Sequence, residues 1–420
     1  MAKGASKGDT LRKKEHSAAP AFSGNGSSPF EYHSHTRLVF GVNTVQRAGE
    51  LAQEAGAKKV LLVTDPGLVR AGHAGHVQDI LAKAGLKVTL FADVRENPTT
   101  RDVDECLTIA RKAGVDSIVG LGGGSSMDTA KGCNFLLSNG GEMKDYWGVG
   151  KAKKEMLPLI AIPTTAGTGS ECQSFALIAD EKSHQKMACG DPKAAARAAI
   201  LDPGLTVSQP RHVAACTGID AIAHAVETAV TKKRNALSLM YSHQSFKLTA
   251  GSFADVLRHP KDIEARGKML LGAALAGMAI ENSMLGAAHS AANPLTAHYG
   301  IVHGQAVGMM LPAVVRFNAR DAVTLKLYAE LASAPEIACA SEGLDVALEA
   351  LVARLDGLLN LAGIPQSLGD CGVKRSDIKM LAVEAAKQWT AGFNPRPVTE
   401  SDFVKLYEAA FEPRGEGKLD

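Results

Sequence analysis

The order of apolar and polar positions divides the chain in two. Up to about residue 206, apolar runs of strand length alternate with stretches of helical period. Runs at 58–64 (KKVLLVT), 87–92, 116–121 (DSIVGL) and 157–162 predict strands. A strand covered on both faces of a parallel sheet shows a continuous apolar run rather than strict alternation. Helical periods at 75–84 and 102–114 separate these runs. From about 207 the strands stop. Stretches at 218–231, 237–258, 263–282, 283–293, 305–317, 345–362 and 375–388 all read as helix, rich in Ala and Leu. Pro294 is expected to end the helix that carries His289. The pattern thus predicts an α/β domain with a parallel sheet over 30–206 and an all-α domain over 207–420, divided near the Asp202-Pro203-Gly204 turn. Residues 1–29 fit neither part. They hold five basic and two acidic residues and a single Leu among Leu, Ile and Val, which reads as a disordered tail.

Composition narrows the classes of function. The 420 residues carry a formal net charge of +2, with 21 % charged and 5 % aromatic residues. A near-neutral balance excludes a protein built to grip a phosphate backbone. Sparse aromatics argue against a stacking platform for single strands. No run of about 18 apolar residues is present, so no membrane partner is expected. The seven Cys form no CxxC pair and lie at least 17 positions apart. That scatter reads as reduced thiols in a cytoplasmic setting and excludes a zinc knuckle.

Two constellations carry candidate chemistry. The first is a glycine loop, Gly120-Leu121-Gly122-Gly123-Gly124-Ser125, between a predicted strand and a helical start. Glycine allows close backbone approach to a pyrophosphate, and a helix N-terminus offers free N–H groups. Asp65 and Thr164-Thr165 stand at two other strand ends, and ligands of parallel sheets bind outside those ends. The acid of the usual dinucleotide fingerprint follows the glycines by about 20 residues. Here Asp65 precedes them; it is placed either to accept ribose hydroxyls and repel a 2′-phosphate, or simply to form an Asp-Pro-Gly turn.

The second constellation is Asp220, His224 and Glu227 on one helical face, together with His289, His298 and His303 in stretches of small and apolar residues. A lone buried His is usually satisfied by a carbonyl. Buried Asp and His in two such clusters need partners or a metal. An Asp with three imidazoles suits a divalent first-row ion, zinc or iron(II).

Five ordered motifs then carry a resemblance: GGGSSMDTAK at 122–131, PTTAGTGSE at 163–171, DPGLT at 202–206, GIDAIAHAVE at 218–227, and HSAANPL at 289–295 with His303-Gly304. Over residues 31–400 the sequence resembles the iron-containing (group III) alcohol dehydrogenases. The resemblance implies a dehydroquinate synthase-like architecture, with a metal between a dinucleotide domain and a helical domain. It puts the metal ligands on Asp220, His224, His289 and His303, with Fe2+ foremost and Zn2+ or Mn2+ as alternatives. It puts cofactor contacts on Asp65, Asn97, Gly123, Gly124, Ser125, Asp128, Thr164, Thr165 and Lys186, and the Asp at 65 implies NAD(H). The implied activity is oxidation of small alcohols or diols, or reduction of aldehydes, by a homodimer or larger homo-oligomer. The alternatives are a hydroxyacid–oxoacid transhydrogenase and a lyase or cyclase of the dehydroquinate synthase type. One departure stands out. Many members of the family carry a proton-transfer His four residues after the third ligand, where this chain has Asn293. His298 is the expected substitute catalytic residue.

Overall fold

The protein is described by a computed structural model covering residues 29–182, 185–334, 336–338, 340–415 and 417. The tail expected over 1–29 therefore lies, save Pro29, outside the described residues. The first lobe holds β1 (Arg37–Phe40), α1 (Ala48–Glu54), β2 (Lys59–Val63), α2 (Pro66–Arg70), α3 (His73–Lys83), β3 (Lys87–Phe91), α4 (Thr100–Ala113), β4 (Ser117–Gly122) and α5 (Gly124–Asn139). It continues through β5 (Gly148–Val149), β6 (Leu159–Pro163), β7 (Phe175–Ala179), β8 (Lys186–Gly190) and β9 (Ala198–Leu201).

Six of these strands form one parallel sheet in the order β1-β9-β6-β4-β2-β3. Three of the apolar runs are the inner strands β2, β4 and β6, and the run at 87–92 is the edge strand β3. Within β2, Leu61 and Val63 enter one core while Val60 and Leu62 enter the other, on the far side of the sheet. Period-two alternation between two buried faces is why the run has no polar face. The chain passes from β2 outward to β3, then crosses back to β4 and on toward β6. The sheet therefore reverses its direction of growth between β2 and β4, the position where such sheets open a crevice. A smaller sheet, β5-β8-β7, pairs Ala179 with Lys186 across an antiparallel ladder.

The second lobe is helical: α6 (Arg211–Thr228), α7 (Ala236–Arg258), α8 (Ile263–Ser283), α9 (Ala287–Tyr299), α10 (His303–Asn318), α11 (Ala322–Ser333), α12 (Leu344–Ala362), α13 (Ile378–Lys387) and α14 (Glu400–Phe411). Among the described residues no single helix is long and apolar enough to cross a membrane. One expectation is corrected. The helix bearing His289 does not stop at Pro294 but runs on to Tyr299. Proline removes one N–H and crowds the carbonyls of the preceding turn. That loss falls on the Ser290 carbonyl; the next carbonyl, that of Ala291, accepts from the Tyr407 hydroxyl at 2.7 Å, so α14 braces this turn from outside.

A short turn, Ser170–Cys172, joins the lobes. Gly169 has φ +62° and lies directly on α8, where a Cβ on Gly277 would stand 2.2 Å from the Gly169 carbonyl oxygen. Lys131, fully buried on α5, holds the same turn. Its ammonium donates to the carbonyls of Ser170, Gln173 and Phe175 and to the Ser170 hydroxyl, at 2.6–3.0 Å. The seam is thus backbone against backbone. Gly277→Ala should overpack it and lower unfolding free energy by about 1–3 kcal/mol, read from the urea midpoint.

Candidate metal centre and nucleotide cleft

Three neighbouring strands, β6, β4 and β2, end at Thr164-Thr165, at Gly123–Ser125 and at Asp65. The sequence-predicted cofactor residues on these ends are therefore side by side. No side chain caps the N-terminus of α5, which begins in the glycine loop, so its first amides remain available to a phosphate. Asp65 caps α2: its Oδ1 accepts from the amides of Gly67 and Leu68 at 2.8 and 3.1 Å. Asn97 sits in the left-handed region with φ +52°, and its N–H donates to Ser125 Oγ at 3.3 Å. The next two residues, Pro98 and Thr99, pair with Ala179, the register partner of Lys186. Asn97 and Lys186 are thereby drawn to the glycine loop. Asp128, one turn into α5, accepts from the Ser170 hydroxyl at 3.1 Å. Burial pushes its carboxyl up to about 6, against the pull of Lys131 and Lys186.

The second cluster lies across the seam. Asp220 and His224, one turn apart on α6, meet His289 from α9 and His303 from the first turn of α10. The Nε2 atoms of His224, His289 and His303 stand 3.5, 3.5 and 3.9 Å from Asp220 Oδ1. The rings of His224 and His289 stack with centroids 4.7 Å apart. Gly304 makes the approach of α10 possible, since a Cβ there would lie 2.1 Å from the Cys216 carbonyl oxygen.

The donor set fits a metal. Donors held about 2.0–2.1 Å from a tetrahedral ion are about 3.4 Å apart, close to the spacings here. Asp220 Oδ1 and His289 Nε2 are buried and accept or donate no hydrogen bond. Donor atoms of Asp220, His224 and His289 all lie within 4.8 Å of one another. Burial pushes the Asp220 carboxyl up, but the three imidazoles outweigh it and hold it well below the usual carboxylate range. Burial also drives His224 down to about 4 and His303 down to about 3, so both present neutral rings. His289 goes the other way, up to about 9: burial lowers it, but Glu227 and Asp220 on either side prevail. Two buried carboxylates, Asp220 and Glu227, thus face this site, and a divalent cation is the charge that balances them. Lys186 connects the two ends, feeling both Asp128 and Asp220 while burial lowers its own affinity for a proton.

The match to the family described as iron-containing alcohol dehydrogenase spans residues 35–203, and that to the C-terminal part of the Fe-containing alcohol dehydrogenase family spans 214–411. The chain belongs to the iron-containing alcohol dehydrogenase family. Alcohol dehydrogenase 4 of Schizosaccharomyces pombe is 35% identical over 372 residues, 89% of this chain and 87% of that protein. The NAD-dependent methanol dehydrogenase of Bacillus methanolicus is 34% identical over 377 residues, 89% of this chain and 97% of its own length. The crystal structure of a 1,3-propanediol oxidoreductase superposes with a TM-score of 0.88 at 32% identity, covering 91% of this chain and all of that one.

Two predicted roles meet a different geometry. His298 is on the outer part of α9, where its Nε2 pairs with Glu384 at 2.8 Å and the ring is 39% exposed. It does not join the ligand cluster, because a position nine residues beyond His289 turns away from the seam. Asn293, one turn after His289, donates to Gln388 Oε1 at 3.0 Å. Lys131 gathers the 170–175 turn, Glu227 backs His289 and Asn394 caps the start of α9, roles that were not read from the sequence. The only signal was charged or amide groups set among small apolar neighbours.

Two predictions follow from these placements. His298→Ala should leave kcat and its pH profile unchanged. Glu171 is buried at 2% exposure with Oε1 unpartnered, and burial lifts its carboxyl from 4.5 to about 7. The folded state then favours the protonated acid, while the unfolded chain ionises near 4.5, so stability falls as pH rises between these values. Glu171→Gln should therefore gain stability over the parent as pH rises, reaching about 3 kcal/mol above pH 7, in urea titrations at pH 4.5 and 8.

Proposed function

We propose that the chain is a metal-dependent, NAD(H)-linked alcohol dehydrogenase and aldehyde reductase acting on small alcohols, diols and aldehydes. The observation that carries the reading is the group of three imidazole nitrogens within 3.9 Å of one Asp220 oxygen, in a chain whose parallel sheet carries a glycine loop at its switch point. The NAD-linked activity on small alcohols also agrees with relatives named for methanol and 1,3-propanediol.

Asp220, His224, His289 and His303 would hold the cation. When bound, a divalent ion supplies Lewis acidity toward the substrate oxygen, and NAD(H) supplies or accepts the hydride. Everything else falls to the chain. The strand ends seat the dinucleotide, with Thr164, Thr165 and the first amides of α5 around its phosphates. The carboxylate of Asp65 accepts ribose hydroxyls and disfavours a 2′-phosphate. Asn97 and Lys186, drawn to the glycine loop, would contact the cofactor there. The seam at Gly169 and Gly277, backbone against backbone, fixes the strand-end loop on α8. Ionised Asp220 and neutral His224 and His303 contribute charge and lone pairs without needing to exchange protons.

Iron(II) is the proposed resident ion, with zinc and manganese as competitors for an N3O donor set. The six cysteines seen among the described residues are unpaired, which supports a reducing, cytoplasmic setting. Exposed Phe40 and Val42 beside edge strand β1 support a homodimer or larger assembly. The lobe boundary is proposed between Leu201, where β9 ends, and Arg211, where α6 begins.

Dialysis against a strong chelator should abolish NADH formation from short primary alcohols, and a single added divalent ion should restore it. Undiminished turnover of the metal-free protein would refute the reading. A strict need for an oxo-acid acceptor would replace it with the transhydrogenase.

A further inference from the structure

Helix α9 begins without a local cap. Its N-cap is Gly286, and no side chain of its own first turn serves the free amides. Two distant residues do so. Asn394 Oδ1 accepts from the Ala287 amide at 3.2 Å, and Glu227 Oε1 accepts from the Ala288 amide at 2.7 Å. Position 286 is glycine because a Cβ would meet these two oxygens at 2.9 and 3.1 Å. Asn394 is itself locked by a reciprocal amide pair with Asn318, at 2.7 and 3.1 Å. The second oxygen of Glu227, Oε2, is hydrogen-bonded to His289 Nδ1. Glu227 is 3% exposed and stands on α6, two turns from Asp220.

We infer that Glu227 is the positioning residue of the metal centre: one buried carboxylate that joins α6 to α9, fixes the tautomer of His289 and aims its Nε2 at Asp220. A carboxylate can only accept, so Nδ1 carries the hydrogen toward Glu227, and Nε2, facing Asp220, is the nitrogen left for a cation to take. Such outer partners set ligand orientation and basicity at metal sites. The two contacts also make glutamine a poor substitute. If its oxygen takes the His289 N–H, its amide group faces the Ala288 N–H, donor against donor. If it turns over, its amide donates to Nδ1 and the hydrogen moves to Nε2, where the lone pair is needed.

The inference rests on the four-donor site proposed above. The test uses Co2+ as probe, with affinity from chelator competition and the visible d–d spectrum as a second readout. Glu227→Gln should weaken Co2+ binding about 10–100-fold and alter the spectrum. Asn394→Ala removes the cap on Ala287 and the pair with Asn318 but leaves the Glu227–His289 contact in place; it should lower Tm while keeping Co2+ affinity within about threefold. If Glu227→Gln does not fold, Glu227→Asp decides: it keeps an acceptor-only group on Nδ1 and should bind Co2+ within about tenfold of the parent. Overturning results are unchanged affinity and spectrum in Glu227→Gln, an equal loss of affinity in Asn394→Ala, or a loss well beyond tenfold in Glu227→Asp. A parent protein that binds no Co2+ would overturn the metal site itself, and this inference with it.

Discussion

A carboxylate cannot be left bare inside a protein, and the helical lobe is arranged around one that is almost fully enclosed. Asp220 is 4% exposed. Taking such a group out of water costs several kcal/mol, which is offset only when partners of opposite or complementary charge are held in good geometry. Three imidazoles from three helices meet that need, and each imposes a packing condition. His224 comes free with α6. His289 requires α9 to start where Glu227 and Asn394 can cap it. His303 requires α10 to lie close enough on α6 that only glycine fits at 304. The centre and the packing of α6, α9 and α10 are therefore one problem with one solution.

The parts of this arrangement that were legible in the sequence are those whose signal is local. The runs at 58–64, 116–121 and 157–162 became β2, β4 and β6, because strands buried on both faces must be apolar throughout, while the run at 87–92 became β3, a part-buried strand at the edge. Three of the unread strands are too short or too mixed to show that signature. β9 is four residues of Ala, Ala, Ile and Leu, β5 is two residues long, and β1 mixes Arg with exposed Phe at the sheet edge. The general rule for helix interiors ends the helix at Pro294, but α9 runs on past it, with the Ala291 carbonyl of that turn held by Tyr407, more than a hundred positions away. His298 was read by its proximity in sequence to the ligands. Helical geometry decided otherwise and left it with Glu384 at the surface.

Long-range partners explain what was not legible. Glu227 sits in the same motif as Asp220 and His224, so its presence was plain, but its hydrogen bond to His289 spans 62 positions. Asn394 and Asn318 hold each other across 76 positions, and Lys131 reaches a turn about 40 positions on. Nothing in composition or period marks such pairs. They are visible only as polar residues in apolar company, a sign that a partner exists but not which one.

The segment from Thr164 to Phe175 links the two ends of the site. Its first residues close the strand end beside the glycine loop. Gly167 packs on Thr217 of α6, one turn from Asp220, and Gly169 packs on α8. Ser170 donates to Asp128, and the carbonyls of Ser170, Gln173 and Phe175 are gathered by the Lys131 ammonium. Hydride transfer needs the reacting carbons about 3–3.5 Å apart, and an error of about 1 Å is costly in rate. On the proposed reading cofactor and metal would be held by different lobes, so that distance would be set by whatever fixes one lobe against the other. Here it is a dozen residues with small or glycine contacts and one buried ammonium. This explains why the chain accepts the cost of enclosing Lys131. A hydrophobic plug could fill the space, but it could not gather four backbone and side-chain acceptors to one point.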